Sequence, residues 1–354
     1  MSTTLFRSAA TGPGERGREL GIAFSEQIRR TWETYEGIFA AYELSIEVVR
    51  EVAEGTCAEV AVWAPQLAEE IAGIADGAGL ATWQVAALNA RSEVLGRYRA
   101  PIPGECSTSV FVPDGEPPRT VQTWDWHEGL QGLTLLWQFD PRPGHTVKTF
   151  TEYGVLGKIG VNSAGLGLHF NLLRHDADGE ELGVPVHLIA RRVLEEASNL
   201  ARAEQIIRSA RVSASVALTV VSRDGAATFE VSPGGVRRLA PDADGLLLHT
   251  NHFLHPDLAR HERHDADDPD TFHRLQRLQE RSSLLAEPDL AKRAAAMVSH
   301  EEDGAALCCH PGAPGDIAER WQTLITIGLD VDAGRLAFRD GNPCETLTDP
   351  WVEV

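Results

Sequence analysis

Apolar positions recur mostly at intervals of three and four from about Arg16 to Leu95. They run Ile22, Phe24, Ile28, Trp32, Tyr35, Ile38, Phe39, then Val48, Val49, Val52, then Val60, Val62, Trp63, Leu67, Ile71 and Ile74. That is the period of amphipathic helices, so this region is predicted helix-rich. From Ser107 onward the period falls to two, and short runs rich in β-branched and aromatic residues are bounded by Gly, Pro or Asp. Strands are predicted at Thr134 to Phe139, Thr146 to Thr151 and Lys158 to Val161, with Asn162-Ser163-Ala164-Gly165 turning into a return strand, Leu166 to Leu172.

A helical pair follows at Pro185 to Ala197 and Asn199 to Ala210, with Pro185 suited to an early helical position and Asn199 to an N-cap. Strands return at Ser215 to Ser222, Ala226 to Val231 and Leu246 to His249. Helices are predicted again at Thr271 to Leu285 and Pro288 to Val298, and a hairpin closes the chain at Gln322 to Leu329 and Arg335 to Arg339. This order does not alternate as βαβ units. It fits an α+β fold in which two antiparallel sheets pack face to face with helices outside.

With 354 residues, 43% of them hydrophobic, the chain can bury a sizeable core, and no Pro/Gly/Ser-rich linker or internal repeat divides it. One structural domain is expected, made of a helix-rich segment 1–105 and a core 106–354. Lys and Arg number 32 against 52 Asp and Glu, a net charge of −20 that repels polyanions, so no nucleic-acid partner is expected. The N-terminus lacks an apolar leader and no stretch approaches ~18 uncharged apolar residues. The expectation is therefore a cytoplasmic protein with no membrane partner. Five scattered cysteines, an odd number, fit reduced thiols better than a disulfide framework.

Candidate chemistry centres on Gly104-Glu105-Cys106-Ser107-Thr108-Ser109, where small and hydroxylated residues surround one cysteine at the front edge of a predicted strand. A lone cysteine is commonly a small buried hydrophobe. Three other segments change its meaning: Lys158-Ile159-Gly160-Val161-Asn162-Ser163-Ala164-Gly165, then Leu248-His249-Thr250-Asn251-His252-Phe253, then Arg320-Trp321-Gln322-Thr323. In order and approximate spacing, these segments with Cys106 and Asp125 resemble the acyl-coenzyme A:isopenicillin N acyltransferase family of N-terminal nucleophile hydrolases. The resemblance runs through most of the chain.

It implies a four-layer αββα sandwich and cleavage of the chain at Glu105–Cys106. The new α-amine of Cys106 would then serve as base for its own thiol, and the two fragments would stay associated. By resemblance Asp125 orients that amine, Asn251 donates to the oxyanion, Thr108 assists self-cleavage, and Arg320 holds a carboxylate or the amine network. Trp124, Trp126 and His252 are placed as substrate-binding residues. Each has a plainer reading: Asp125 an outward-facing strand residue, Asn251 a turn residue, Thr108 a strand residue, Arg320 a surface charge. Glu105 departs from the glycine expected before the nucleophile, and glycine adopts strained backbone at lower cost.

The predicted activity is hydrolysis of a small-molecule or small-peptide amide through an acyl-enzyme. The alternatives are acyl transfer to an amine and an uncut, non-catalytic binding protein. No cofactor is implied, and a homo-oligomer stays open. His249, His252 and His255, like Cys308-Cys309-His310, lack the spacing of zinc motifs, so no metal is predicted.

Overall fold

In the computed structural model, residues 3–99, 106–263, 270–312 and 315–354 are described. Among them the first segment holds α1 (Pro13–Ala23), α2 (Ser25–Ala41), α3 (Ile46–Trp63), α4 (Pro65–Ala78), α5 (Thr82–Asn89) and α6 (Arg91–Leu95). Pro13 and Pro65 open their helices at the first position, where a missing N–H costs nothing, and Gly79 closes α4 in the left-handed region at φ 68°. The segment also contributes a strand the sequence pattern does not reveal, β1 (Thr4–Arg7).

β1 lies parallel to β4 (Thr134–Arg142) at one edge of an eight-stranded sheet. The sheet continues through β5 (His145–Glu152), β6 (Ile159–Asn162), β7 (Leu166–Leu173), β8 (Ser215–Ser222), β9 (Gly225–Ser232) and β10 (Gly235–Leu239), every further pair antiparallel. The predicted turn between β6 and β7 forms with Gly165 at φ 84°, while Asn162 Oδ1 accepts from the N–H groups of Ala164 and Leu166. A six-stranded sheet holds β11 (Leu246–His249), β2 (Ser107–Phe111), β3 (Arg119–His127), β12 (Trp321–Asp330), β13 (Arg335–Asp340) and β14 (Val352–Glu353) in that order.

The two sheets face each other, β2 over β7 and both β12 and β13 over β6. Outside the larger sheet lie α7 (Val186–Glu196) and α8 (Leu200–Ser209), the latter capped by Asn199 Oδ1 accepting from Arg202 N at 2.9 Å. After α9 (Pro256–Ala259), the helices α10 (Asp270–Glu280), α11 (Ser282–Leu285) and α12 (Leu290–Ala296) cover the smaller sheet. Val121, Leu278, Leu285, Ala294, Met297 and Leu307 fill the gap between them. Helix, sheet, sheet and helix thus make the αββα sandwich, an α+β fold. The helices packed directly on the sheets, α7 and α8 on one side and α10 to α12 on the other, are there because apolar residues on them are covered by a sheet face.

Helices α1 and α4 cross at glycine. A Cβ on Gly17 would lie 2.2 Å from Glu70 O, and one on Gly73 would lie 2.2 Å from Gly14 O. That approach brings Arg16 and Glu70 together below the surface, where Arg16 Nε and Nη2 donate to the two Glu70 oxygens at 2.8 and 2.7 Å. Arg191 of α7 donates to the same carboxylate at 2.9 and 2.8 Å and to Glu195 at 2.8 Å. The guanidinium of Arg191 stacks 3.8 Å from the Phe139 ring. Helices from the first segment are therefore tied to the rest of the chain by buried ion pairs as well as by apolar packing.

Burial also sets an acid limit on the fold. His127 and His169 are each pushed down to about 3 by burial, and His187 well below its ordinary value by burial and then by Arg91 and Lys158. Folded, these rings stay neutral; unfolded, they take up protons below about 6.5. The unfolded state therefore binds more protons as pH falls from 6.5 toward 3, and stability falls with it. The slope is up to about 1.4 kcal/mol per pH unit for each ring. Urea midpoints at pH 7 and pH 5 check this: His169→Gln should flatten the slope by about one proton, and an unchanged slope contradicts the account.

Candidate active site

Cys106 immediately precedes β2, whose antiparallel register with β3 sets Ser107 opposite Thr123 and so lays the thiol alongside Asp125. The Sγ–H donates to the Asp125 backbone carbonyl at 3.5 Å. The Cys106 carbonyl oxygen accepts from Asn171 Nδ2 at 3.1 Å and from Arg274 Nη1 at 3.0 Å. Both polar anchors reach the cysteine from outside its own hairpin, Asn171 from β7 across the sheet interface and Arg274 from α10.

A polar seam joins the two sheets beside the cysteine. Thr108 Oγ1 donates to Asn171 Oδ1 at 2.7 Å, Gln122 Nε2 donates to the Phe170 carbonyl at 2.8 Å, and His169 Nδ1 lies 2.9 Å from Gln122 Oε1. These groups are buried, so each bond prevents an uncompensated desolvation penalty of about 1–3 kcal/mol. They fix the strand on which Cys106 sits.

The thiol opens into a narrow cleft bounded by Trp124, Trp126, Trp321, Phe170 and Leu172, with Arg91, Ser92, Lys158, His187, Asp125 and Asn251 as its polar groups. The space between these atoms, mouth included, is about 330 Å³. Trp126 donates from Nε1 to the Tyr35 hydroxyl at 2.8 Å and meets Trp321 edge to face at 4.9 Å. Lys158 Nζ lies 3.3 Å from the centre of the Trp124 ring and 2.6 Å from Glu152 Oε2, which also accepts from Arg91 at 2.7 Å. Tyr35 donates to the other Glu152 oxygen at 2.5 Å. One carboxylate thus serves two buried cations and a phenol.

Electrostatics follow from that burial. Burial, and then the Asp125 charge, push the Cys106 thiol up to about 12, against the opposing pull of Lys158 and Arg274. Burial pushes Lys158 down to about 7, although Glu152 draws it back up. Burial would raise Glu152, but Arg91 and Lys158 together hold it below the usual carboxylate range. In this state the sulfur is a protonated thiol at neutral pH, and a thiol attacks carbonyls far less readily than a thiolate.

The structure brings together Cys106, Asp125, Asn251, Trp124 and Trp126. Asn251 is positioned by Nδ2 donating to the Leu172 carbonyl at 2.9 Å and by Oδ1 accepting from Arg274 at 3.2 and 3.3 Å. Thr108 lies next to the cleft, bonded to Asn171 and not lining it. His252 turns away to Thr250 and Thr271, at 3.1 and 3.0 Å from their hydroxyls, and its ring packs on Phe272. Arg320 is not in the cleft either. It precedes β12, its carbonyl accepts from Glu128 N at 2.8 Å, and its side chain pairs with the Glu128 carboxylate near the surface. Glu105 lies outside the described residues.

A guanidinium that the sequence reading does not assign, Arg274, holds the Cys106 carbonyl; it is also in contact with Ser107 Oγ at 3.1 Å and paired with Asp270. Spacing could not single it out, because it lies 168 residues from the carbonyl it binds. Lys158 opens a segment that carries the family resemblance, so a signal for it was present without a role attached.

A model of the family described as acyl-coenzyme A:6-aminopenicillanic acid acyl-transferase matches residues 113–345, a stretch that begins past Cys106. The chain is 32% identical over 294 residues to the acyl-coenzyme A:6-aminopenicillanic-acid-acyltransferase 40 kDa form of Emericella nidulans, a match covering 80% of this chain and 78% of that one. Among solved structures, penicillin V acylase from Agrobacterium tumefaciens aligns with a TM-score of 0.43 at 15% identity, covering 66% of this chain and 83% of that one. A mutant conjugated bile acid hydrolase from Clostridium perfringens aligns with a TM-score of 0.46 at 11% identity, covering 70% and 92%. By the matched stretch and the identity across most of its length, the chain belongs to the acyl-coenzyme A:6-aminopenicillanic acid acyl-transferase family.

Proposed function

We propose that this protein is a cysteine N-terminal nucleophile enzyme that cleaves the amide of a small molecule or small peptide through an acyl-enzyme, after cutting its own chain before Cys106. The observation that carries the reading is the placement of Cys106: a buried thiol at a strand start, facing an aromatic cleft, with Asp125, Asn251 and two cations around it. The coarser statement, acyl transfer or amide hydrolysis, rests on family membership.

Self-cleavage begins when Sγ attacks the Glu105 carbonyl carbon and the C–N bond breaks. The nitrogen keeps its own hydrogen and takes up the proton lost by the thiol, becoming the α-amine of Cys106, and the Glu105 acyl group is left on Sγ as a thioester. Water then hydrolyses the thioester to the Glu105 carboxylate and a free thiol. The amine now beside the sulfur has an ordinary pKa of about 7.7 to 8.0, so it can accept the thiol proton near neutral pH. This supplies the base that the uncut chain lacks.

In turnover, Sγ attacks the substrate carbonyl and its proton passes to the α-amine. The resulting oxyanion accepts from Asn251, a kind of donor whose loss costs roughly 10² to 10³ in rate. Collapse expels the leaving amine, which takes the proton back, and water resolves the thioester to an acid and the free thiol. Trp124, Trp126, Trp321 and Phe170 suit an apolar or aryl acyl group. The buried contacts of Arg16 with Glu195, of Arg91 with Glu152 and of Glu70 with Arg191 would keep the fragments together.

Transfer to an amine is the second reading, favoured by the name of the Emericella nidulans relative. Intact mass under denaturing conditions tests the central claim: two fragments are expected, the larger starting at Cys106, and a single uncut chain that still turns over substrate refutes self-cleavage. Product analysis with and without an acceptor amine separates the readings, since an acyl-amine product that requires the acceptor means transfer.

A further inference from the structure

Apart from the cleft, whose lining includes none of them, three segments distant in sequence converge: His300 before a short 3-10 turn (Glu301–Asp303), His310 before β12, and Cys344 after β13. One ligand atom from each lies within 4.8 Å of the other two. Cys344 Sγ is 3.3 Å from His310 Nε2, and the two imidazole rings lie 5.3 Å apart at 31°. Neighbouring ligand atoms around a tetrahedral zinc ion stand roughly 3.3–3.8 Å apart, as bonds of about 2.0–2.3 Å require. The trio therefore needs only small side-chain rotations to close on one ion.

The surroundings supply the outer contacts such a site uses. Asp303 Oδ2 lies 3.7 Å from His300 Nδ1, and Glu345 Oε1 lies 3.7 Å from His310 Nδ1. The amide of Asn342 also reaches His310 Nδ1, at 3.4 Å. A carboxylate or amide at Nδ1 fixes ring orientation and leaves Nε2 of His310 aimed at the sulfur. Behind Cys344 the Cys308 thiol is in hydrogen-bond contact with it. Both histidines are partly exposed, which gives an ion a way in.

We propose that His300, His310 and Cys344 form a binding site for one divalent transition-metal ion of the zinc class. Two imidazoles and a thiolate are a donor set that suits zinc, cobalt(II) or copper and not calcium or magnesium. Binding displaces the Cys344 thiol proton to solvent and forms the metal–sulfur bond. Cys309, beside His310, bonds through both backbone groups to Thr323, which pairs with Asp125 in the sheet. The ion would thus staple the C-terminal segment to the loop that braces the strand next to the active site.

The test uses the full-length protein, stripped with chelator, kept reduced and titrated with cobalt(II). One equivalent should bind, with a thiolate-to-cobalt charge-transfer absorption that zinc displaces and that Cys106→Ala retains. Cys344→Ser should abolish that absorption, and His300→Gln and His310→Gln should each weaken cobalt binding at least about tenfold. The absence of a stoichiometric band in the reduced wild type, or an unchanged band in Cys344→Ser, overturns the proposal. Should Cys344→Ser fail to fold by far-UV circular dichroism, unchanged cobalt affinity in His300→Gln overturns it instead.

Discussion

Cys106→Ala is expected to give one uncut chain of full length and to lower amide turnover by roughly 10⁴-fold or more, as removal of a nucleophile does in other acyl-transfer enzymes. The fold should survive. The cysteine is nearly buried, and what the structure asks of its backbone is the carbonyl held by Asn171 and Arg274, which alanine keeps. Losing one sulfur from the cleft wall leaves a small void, so the urea midpoint should move little. Cys57→Ala, far along the chain on α3, is the matched control and should be cut as the wild type is. The idea is lost if Cys106→Ala is cut at the same bond or keeps its activity, because either result means that another group does the chemistry.

The second large effect concerns stability. Glu70→Ala should destabilise the protein by about 3–5 kcal/mol, the usual consequence of leaving buried charges without their partner. Glu70 is wholly buried between Arg16 and Arg191, and after its removal two guanidiniums share the single carboxylate of Glu195. Glu54→Ala supplies the contrast. Its partner Arg50 and Glu54 itself are both more than half exposed, so breaking that pair should change stability by about 0.5 kcal/mol or less. Equal urea midpoints for the two variants would show that the buried network does not hold the helical segment in place. In a self-cleaved protein the same substitution should also loosen the two fragments, which size-exclusion chromatography at moderate urea would detect.

Much of the architecture was readable along the chain. The helical period before Leu95, the turn at Asn162 to Gly165, the N-cap at Asn199 and the closing hairpin all form near the predicted positions. Of the four strands at the margins of the sheets, β11 was readable and β1, β10 and β14 were not. β1 has a mostly exposed surface, and β10 and β14 are short edges, so none carries the alternation that a half-buried strand imprints on its sequence.

At the site the division is sharper. Cys106, Asp125, Asn251, Trp124 and Trp126 could be picked out in advance because they sit within segments whose order resembles a known family, and the structure lines the cleft with all five. Arg320 and His252 belong to equally suggestive segments, yet one side chain leaves for Glu128 and the other for Thr250 and Thr271. Local order and periodicity are written into neighbouring residues, since they depend on side chains one turn or two strand positions apart. The partnership of Arg274 with Cys106, of Glu70 with Arg191, and of His310 with Cys344 joins residues remote along the chain. Those pairings exist only once the layers have packed, when burial forces each charge or donor to find whatever partner the fold has carried to it.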